Sequence, residues 1–191
     1  EKAIVPYTAL CTACVILICW YAIVQNHNIL PFWDSWDGYI EYVLRFEGMS
    51  GSQKILSLFE QHNEHRFFFT RLLFLVDFHL FNASFTPLYI FNALAPLIPV
   101  FAIFATLKHV DKQTRILITL FAATILYSLQ QKENFYWEFQ SQFFLAQYIP
   151  FLGYYLVLRF WSVSFLHNLA RLAVMTVASA FTMANGLFFV L

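Results

Sequence analysis

Three polar clusters interrupt an otherwise apolar sequence, and each has the residue types for chemistry. Asp34 and Asp37 lie in the run Phe32-Trp33-Asp34-Ser35-Trp36-Asp37-Gly38, three residues apart at the mouth of an expected helix. One use of such a pair is capping, with one carboxylate accepting backbone N–H bonds and the other facing the positive helix end. The other use is catalytic. Two carboxylates held among indoles at a membrane surface can have their pKa values drawn apart, which suits a general base or a cation site.

The second cluster, His62-Asn63-Glu64-His65-Arg66, stands directly before Phe67-Phe68-Phe69. It is either a solvated loop end or a grip for an anionic headgroup, with Arg66 or Arg71 paired to phosphate. His62 and His65 are competent zinc ligands. However, H-x-x-H without a cysteine or an H-E-x-x-H helix is a weak zinc signal. No metal site and no cofactor are expected, although a divalent cation is compatible with the carboxylates.

In the third cluster, Gln130 to Gln140, the polar residues Lys132, Glu133, Asn134 and Glu138 are interleaved with Phe135, Tyr136, Trp137 and Phe139. Aromatic faces between polar groups suit a sugar, and they equally suit an aromatic belt at a membrane interface. Asn185-Gly186, polar within an apolar run, is a further candidate for lining the same cavity. Arg71, Asp77 and His79 fall inside the apolar segment Arg66–Asn82, where ionisable groups are costly at the bilayer centre. That segment is either a short interfacial helix or a tilted span whose stripe of Arg66, Thr70 and Asp77 faces protein. Were the chain a transport or scaffold subunit, Arg71 and Asp77 within it would form a structural ion pair or part of a pathway.

Elements must hold these clusters in place. Gln25 to Arg66 is too long for a simple connector. The pattern predicts an amphipathic helix over Tyr39–Gly48, with Ile40, Val43, Leu44 and Phe46 on its apolar side and a Glu41–Arg45 pair one turn apart. A second short helix is expected over Lys54–Gln61. Both would lie flat on the membrane, anchored by Trp33 and Trp36.

The remainder reads as membrane spans. Of 191 residues, 60% are hydrophobic, 20% aromatic and only 12% charged, with a mean hydropathy of +0.62. An ordinary soluble domain carries about 25% charged residues, and one this small could not bury so much apolar surface. A water-soluble enzyme and a disordered tail are excluded, and an integral membrane protein is predicted. The net charge is zero, so no basic face for nucleic acid is indicated. Cys11, Cys14 and Cys19 all fall in the first apolar stretch and read as packing residues rather than a disulfide framework.

A span needs about 20 apolar residues. Ile4–Val24, Leu88–Leu107 and Leu172–Leu191 meet that outright, while Ile116–Leu129 and Phe143–Leu158 are shorter. The expected fold is all-α: a single polytopic transmembrane bundle over residues 1–191, with about five or six spans and interfacial helices in a first external loop, residues 25–66. The opening Glu1-Lys2 and the apolar end Gly186–Leu191 predict that this is the N-terminal part of a longer protein. If Arg66–Asn82 does not cross, then Lys2, Lys108, Lys112, Arg115, Arg159 and Arg171 share one face. The positive-inside rule makes that face cytoplasmic, and the polar clusters share the external one. If the segment does cross, the first loop turns cytoplasmic.

The layout Asp37-Gly38-Tyr39, a helix running to Gly48, then His62–Arg66 before an apolar stretch ending Leu80-Phe81-Asn82, resembles the start of GT-C membrane glycosyltransferases. Trp33–Asp37, His62–Arg66 and Glu133–Gln140 further resemble bacterial multi-pass membrane proteins placed near that superfamily. The resemblance implies a polyprenyl-phosphate sugar donor and a glycan, lipid or protein acceptor. It also implies a bacterial inner-membrane location, with the site facing the periplasm or outside. An aspartate of the first external loop would be the catalytic base. Asp37 matches the motif's acidic position best, with Asp34 as the other candidate, and Arg66, Arg71 or Lys132 would meet the donor phosphate. The acidic pair here is more widely spaced than in that family, and His65-Arg66-Phe67 stands where His-Pro-Pro often ends the loop. The alternative is a non-catalytic transport or scaffold subunit that binds a lipid headgroup or sugar. A zinc-dependent membrane hydrolase is a third option.

Overall fold

The computed structural model describes residues 3–160 and 164–183, and every regular element among them is helical. Among the described residues, two helices are long and apolar enough to cross a bilayer: α1 (Ile4–Gln25, 22 residues) and the stretch Thr86–His109 of 24 residues. At about 1.5 Å per residue both exceed a hydrocarbon core of about 30 Å. Leu10, Leu17, Tyr21 and Val24 of α1 point away from the rest of the protein, as side chains facing lipid would. The second stretch is bent. Pro96 separates α5 (Thr86–Leu94) from α6 (Leu97–Thr106), because it has no N–H to give the carbonyl one turn back.

α7 (Lys112–Leu126) begins earlier than the apolar run suggests because Asp111 caps it, accepting from Thr114 N at 3.0 Å. It packs along α1, where Thr12 and Thr124 share a hydrogen bond of 2.9 Å between their hydroxyls. α8 (Lys132–Tyr136) is a short connector, and α9 (Ser141–Arg159) runs between α6 and α10 (Phe165–Ala180). Gly153 lets α9 and α10 approach, since a Cβ there would meet Met175 Cγ at 2.9 Å. The expected span Leu172–Leu191 corresponds only in part to α10. Its last residues, with Asn185-Gly186, lie outside the described residues.

The first loop differs from its expected form. Ser35–Glu41 is a wide π-type turn that feeds α2 (Tyr42–Glu47), and Leu44 is exposed while Tyr39, Tyr42 and Val43 are buried. The predicted Glu41–Arg45 pair is replaced by a bond across elements, Arg45 to Glu60 at 2.8 Å. The second helix is α3 (Gly51–Ser57), starting and ending earlier than the predicted Lys54–Gln61. Its start is fixed by a capping box, in which the Gln53 amide oxygen accepts from Ser50 N at 2.9 Å. Trp33 and Trp36 are both exposed.

α4 (Phe68–Phe81, 14 residues) rises about 21 Å. It turns sharply into α5 through Asn82, Ala83 and Phe85, all in the left-handed region with φ of 54°, 54° and 60°. Asp77 holds this turn, accepting from Phe85 N at 3.1 Å and from the Tyr39 hydroxyl at 2.5 Å. Arg71 points elsewhere: its Nη1 donates to the carbonyls of Ser57 and Glu60, each at 2.6 Å, beneath the Tyr42 ring. The expected Arg71–Asp77 ion pair is therefore absent, because each side chain closes a different backbone end. Thr70 and Asp77 of the expected stripe are buried, with Arg71 and Phe74 beside them, whereas Arg66 precedes α4 and is exposed.

The core is a column of rings. Tyr39 stacks on Phe74 (4.6 Å), Phe74 on Phe139 (5.6 Å) and Phe139 on Trp137 (5.7 Å). Gly38 seats the first loop on this column, since a Cβ there would lie 2.5 Å from Phe139 ring carbons.

Candidate functional site

A cavity of about 540 Å³ opens where the first loop meets the start of α9, within the roughly 300–1,000 Å³ range of small-molecule sites. Asp34, Asn63, Glu64 and His65 line one side, and Trp137, Gln140, Gln142 and Phe143 the other. Asp34 precedes the Ser35–Glu41 turn, yet its side chain makes no capping bond. The capping role is thus unfilled, and the carboxylate is left to the cavity. The second cluster is shaped by a backbone clasp. His62 N donates to His65 O at 2.8 Å and His65 N to His62 O at 3.0 Å, with Asn63 left-handed at the tip (φ 49°).

Several buried polar atoms here lack a partner: His62 Nε2, His65 Nδ1, Gln140 Oε1 and Gln142 Oε1. Three of the four belong to cavity-lining residues. A buried polar atom left unpaired costs about 1–3 kcal/mol, so this corner of the fold carries a local cost.

Beneath the cavity lies a carboxylate that is not part of its lining. Glu138 is buried and accepts from Ser35 Oγ at 2.5 Å, and Ser35 Oγ in turn accepts from the Trp137 indole N–H at 3.0 Å. The Tyr89 hydroxyl donates to Tyr136 O at 3.1 Å and lies 3.4 Å from Glu138 Oε2. Asn92 on the same helix donates to Trp137 O at 3.1 Å. Burial pushes the Glu138 carboxyl above its ordinary range, and the Ser35 and Tyr89 hydroxyls oppose that in part. His62 is pushed the other way, first by burial and then by the Arg71 charge, against the pull of Asp34 and Asp37. It is therefore a neutral imidazole near neutral pH.

The sequence-predicted residues divide into groups. Asp34, Asn63, Glu64, His65 and Trp137 come together in the cavity, drawn from two loops about a hundred residues apart. Asp37 is exposed and outside the lining, and His62 packs behind it against Phe67 and Phe139. Arg66 is exposed and donates to Phe59 O at 2.7 Å. Arg71 is buried on backbone carbonyls and unavailable to an exposed phosphate. Lys132 and Glu133 are exposed on α8, away from the lining, and the carbonyl of Asn134 accepts from Asn92. Glu138 supports the cavity from below instead of lining it. Among the described residues, no three His, Cys, Asp or Glu side chains are grouped to hold a metal ion.

Ser35, Tyr89, Asn92, Gln140 and Gln142 were not singled out by type and spacing. A lone Asn in an apolar span, and two glutamines two residues apart behind Trp137, are the signals that point to them. Compared with protein-family models, curated proteins and solved structures, the chain matches none.

Proposed function

We propose that this chain is a membrane module of a glycosyltransferase of the GT-C type. In this reading it moves a sugar from a polyprenyl-phosphate donor to an acceptor hydroxyl at the external face of a bacterial inner membrane. The carrying observation is the cavity itself. A free carboxylate at Asp34, amides at Asn63, Gln140 and Gln142, and the Trp137 indole meet in one open space of sugar-binding character. The bundle is polytopic in this reading, with α7, α9 and α10 crossing alongside the two longer helices. α4 stays on the external side, which keeps Lys2, Lys108, Lys112, Arg115, Arg159 and Arg171 on one face.

Asp34, in preference to Asp37, is the base, because Asp34 lines the cavity. It takes the proton of the acceptor hydroxyl as that oxygen attacks the anomeric carbon, the glycosidic C–O bond breaks, and polyprenyl phosphate leaves with the electron pair. Of the cations considered for the phosphate, only Arg66 is both exposed and adjacent in sequence to a cavity residue. It would stabilise the leaving charge without transferring a proton. The lipid tail has a place nearby. An apolar groove of about 470 Å³ runs between α1 and α5 past Trp20, Val24 and Ile90 to His27 and Tyr89, and the Tyr89 hydroxyl borders Glu138.

The test is transfer of radiolabelled sugar from polyprenyl-phosphate sugar in vesicles carrying the full-length protein. A positioned base is worth about 10²–10⁴ in rate, so Asp34→Asn should fall by that factor and Asp37→Asn by much less. Unchanged transfer in both variants would overturn the aspartate-base mechanism, and no transfer by the unsubstituted protein would favour a non-catalytic binding subunit.

A further inference from the structure

We propose that the end of the bundle opposite the cavity holds one anionic phospholipid, with its acyl chain in a groove between α7 and α9 and its phosphodiester on Lys108, Arg115 and Arg159. This rests on the reading in which α7 and α9 cross the bilayer, and not on sugar transfer. The groove encloses about 490 Å³. Ala102 and Thr106 of α6 lie at its floor, Ile118 of α7 on one side, and Phe151 and Leu158 of α9 on the other. The Thr106 hydroxyl donates to Ala102 O at 2.7 Å, which leaves the floor apolar. Ile118, Phe151 and Leu158 are exposed, so the groove is open to lipid along its length. A second hollow of about 300 Å³ continues it, sharing Ile103 and Phe151 and reaching Leu126 and Gln147. From Leu158 to Gln147 the furrow follows α9 for about 16 Å. That is half of a hydrocarbon core of about 30 Å, the depth that one acyl chain occupies in one leaflet.

The charge at the mouth of the groove is an independent observation. Lys108 follows the lining residue Leu107, Arg159 follows Leu158, and Arg115 stands one turn before Ile118 on α7. Arg115 is held across the end of α6: its Nε donates to Phe104 O at 2.7 Å, and its guanidinium lies 3.6 Å from the centre of the Phe104 ring. Arg159 and Arg171 converge on the Phe160 ring, at 5.7 and 5.0 Å. None of these four cations is in an ion pair among the described residues, whose ion pairs all lie within residues 45–79. Among the described residues the one carboxylate at this end is Asp111, which is used in capping α7. A basic opening between membrane helices suits an anionic headgroup, and guanidinium groups meet phosphate through charge-assisted hydrogen bonds.

Other occupants fit less well. A zwitterionic lipid brings a quaternary ammonium into a field that is already positive. A second copy of the chain in the same orientation would set the same cations against these, an unfavourable Coulomb contact. The polyprenyl-phosphate donor belongs to the cavity, and Phe143 of that cavity lies about 22 Å along α9 from Leu158. In the orientation proposed above, the bound phospholipid is one of the cytoplasmic leaflet.

The experiment is native mass spectrometry of the full chain in mild detergent, titrated with phosphatidylglycerol, phosphatidylcholine and glycerol 3-phosphate. The expected result is a complex with one lipid, about tenfold or more tighter for phosphatidylglycerol than for phosphatidylcholine, and no complex with glycerol 3-phosphate, which lacks the chain. Arg115→Gln and Arg159→Gln should each weaken phosphatidylglycerol about fivefold, and Ile118→Trp, which fills the groove from an exposed position, should weaken both lipids. The wild-type ratio decides the matter even if a variant fails to fold. Equal binding of the two lipids, a ratio unchanged when Lys108, Arg115 and Arg159 are all replaced by Gln, tight binding of glycerol 3-phosphate, or a dimer in place of the lipid-bound monomer overturns the site. A nitroxide on Phe121→Cys, with the three native cysteines replaced, tests the crossing of α7 separately, because Phe121 is exposed midway along that helix. In nanodiscs of the two lipids it should meet dissolved oxygen and not a water-soluble nickel chelate. Access by nickel overturns the crossing and the lipid site together, whereas a label buried in lipid with equal binding of the two lipids overturns the site alone.

Discussion

Glu138 joins the first loop to the bundle through one carboxylate. Ser35 and Tyr89 reach it from separate segments, and Ser35 is the neighbour of Asp34, so Glu138 sets where the proposed base stands. Replacing it with Ala leaves the buried Ser35 hydroxyl without its acceptor, at about 1–3 kcal/mol, while Tyr89 keeps Tyr136 O; Gln keeps an oxygen in place. Its raised pKa also fixes a pH dependence. The folded state holds the proton more tightly than the unfolded state, so the contribution of the neutral acid is full below the ordinary value of 4.5 and is lost as pH rises through the raised folded value. Thermal melts across about pH 4 to 8 should show this loss in the native protein and a flatter profile in Glu138→Gln. An unchanged profile would separate Glu138 from the stability of the loop. None of this was visible in the residue itself, because a glutamate between Trp137 and Phe139 looks the same whether it faces a sugar or a buried serine.

At the scale of elements, Gly38 decides whether the loop docks. A methyl group there would lie 2.5 Å from the Phe139 ring, and that ring is held between Phe74 and Trp137 and cannot swing aside. Gly38→Ala should therefore cost about 1–3 kcal/mol by overpacking, read as a lower melting temperature and faster proteolysis within residues 25–66. The sequence foretold much at this scale. Hydrophobic run length located α1, the bent Thr86–His109 stretch and α9 to within a few residues. Thr70 and Asp77 share the inward face that the 3.6-residue period gives them, but Arg66 does not join it. Three things were hidden. The wide turn at Ser35–Glu41 carries no periodic signature, and Arg45 found Glu60 because the fold of the loop brought α3 back beside α2. Asp77 and Arg71 parted because the α4–α5 turn and the end of α3 each presented backbone groups with stronger claims on them.

For the whole molecule, the question is which side of the membrane carries the cavity. Ser52 and Gln113 are both exposed, one in the first loop and one at the start of α7. With Cys11, Cys14 and Cys19 replaced, a single cysteine at Ser52 should react with an impermeant maleimide on intact cells, and one at Gln113 should not. The reverse pattern would put the cavity in the cytoplasm, where lipid-linked donors of this type do not present their sugars, and would overturn the transfer reaction proposed above. The long reach between the cavity's two walls has a consequence for biogenesis. Ser35 and Glu138 stand 103 positions apart, so a ribosome feeding the chain into the membrane delivers the first loop long before its counterpart exists. During that interval the bare face of Gly38 has no ring to meet and Asp34 has no fixed position. The cavity forms only when the segment through Phe143 has followed, so its first wall waits on its second.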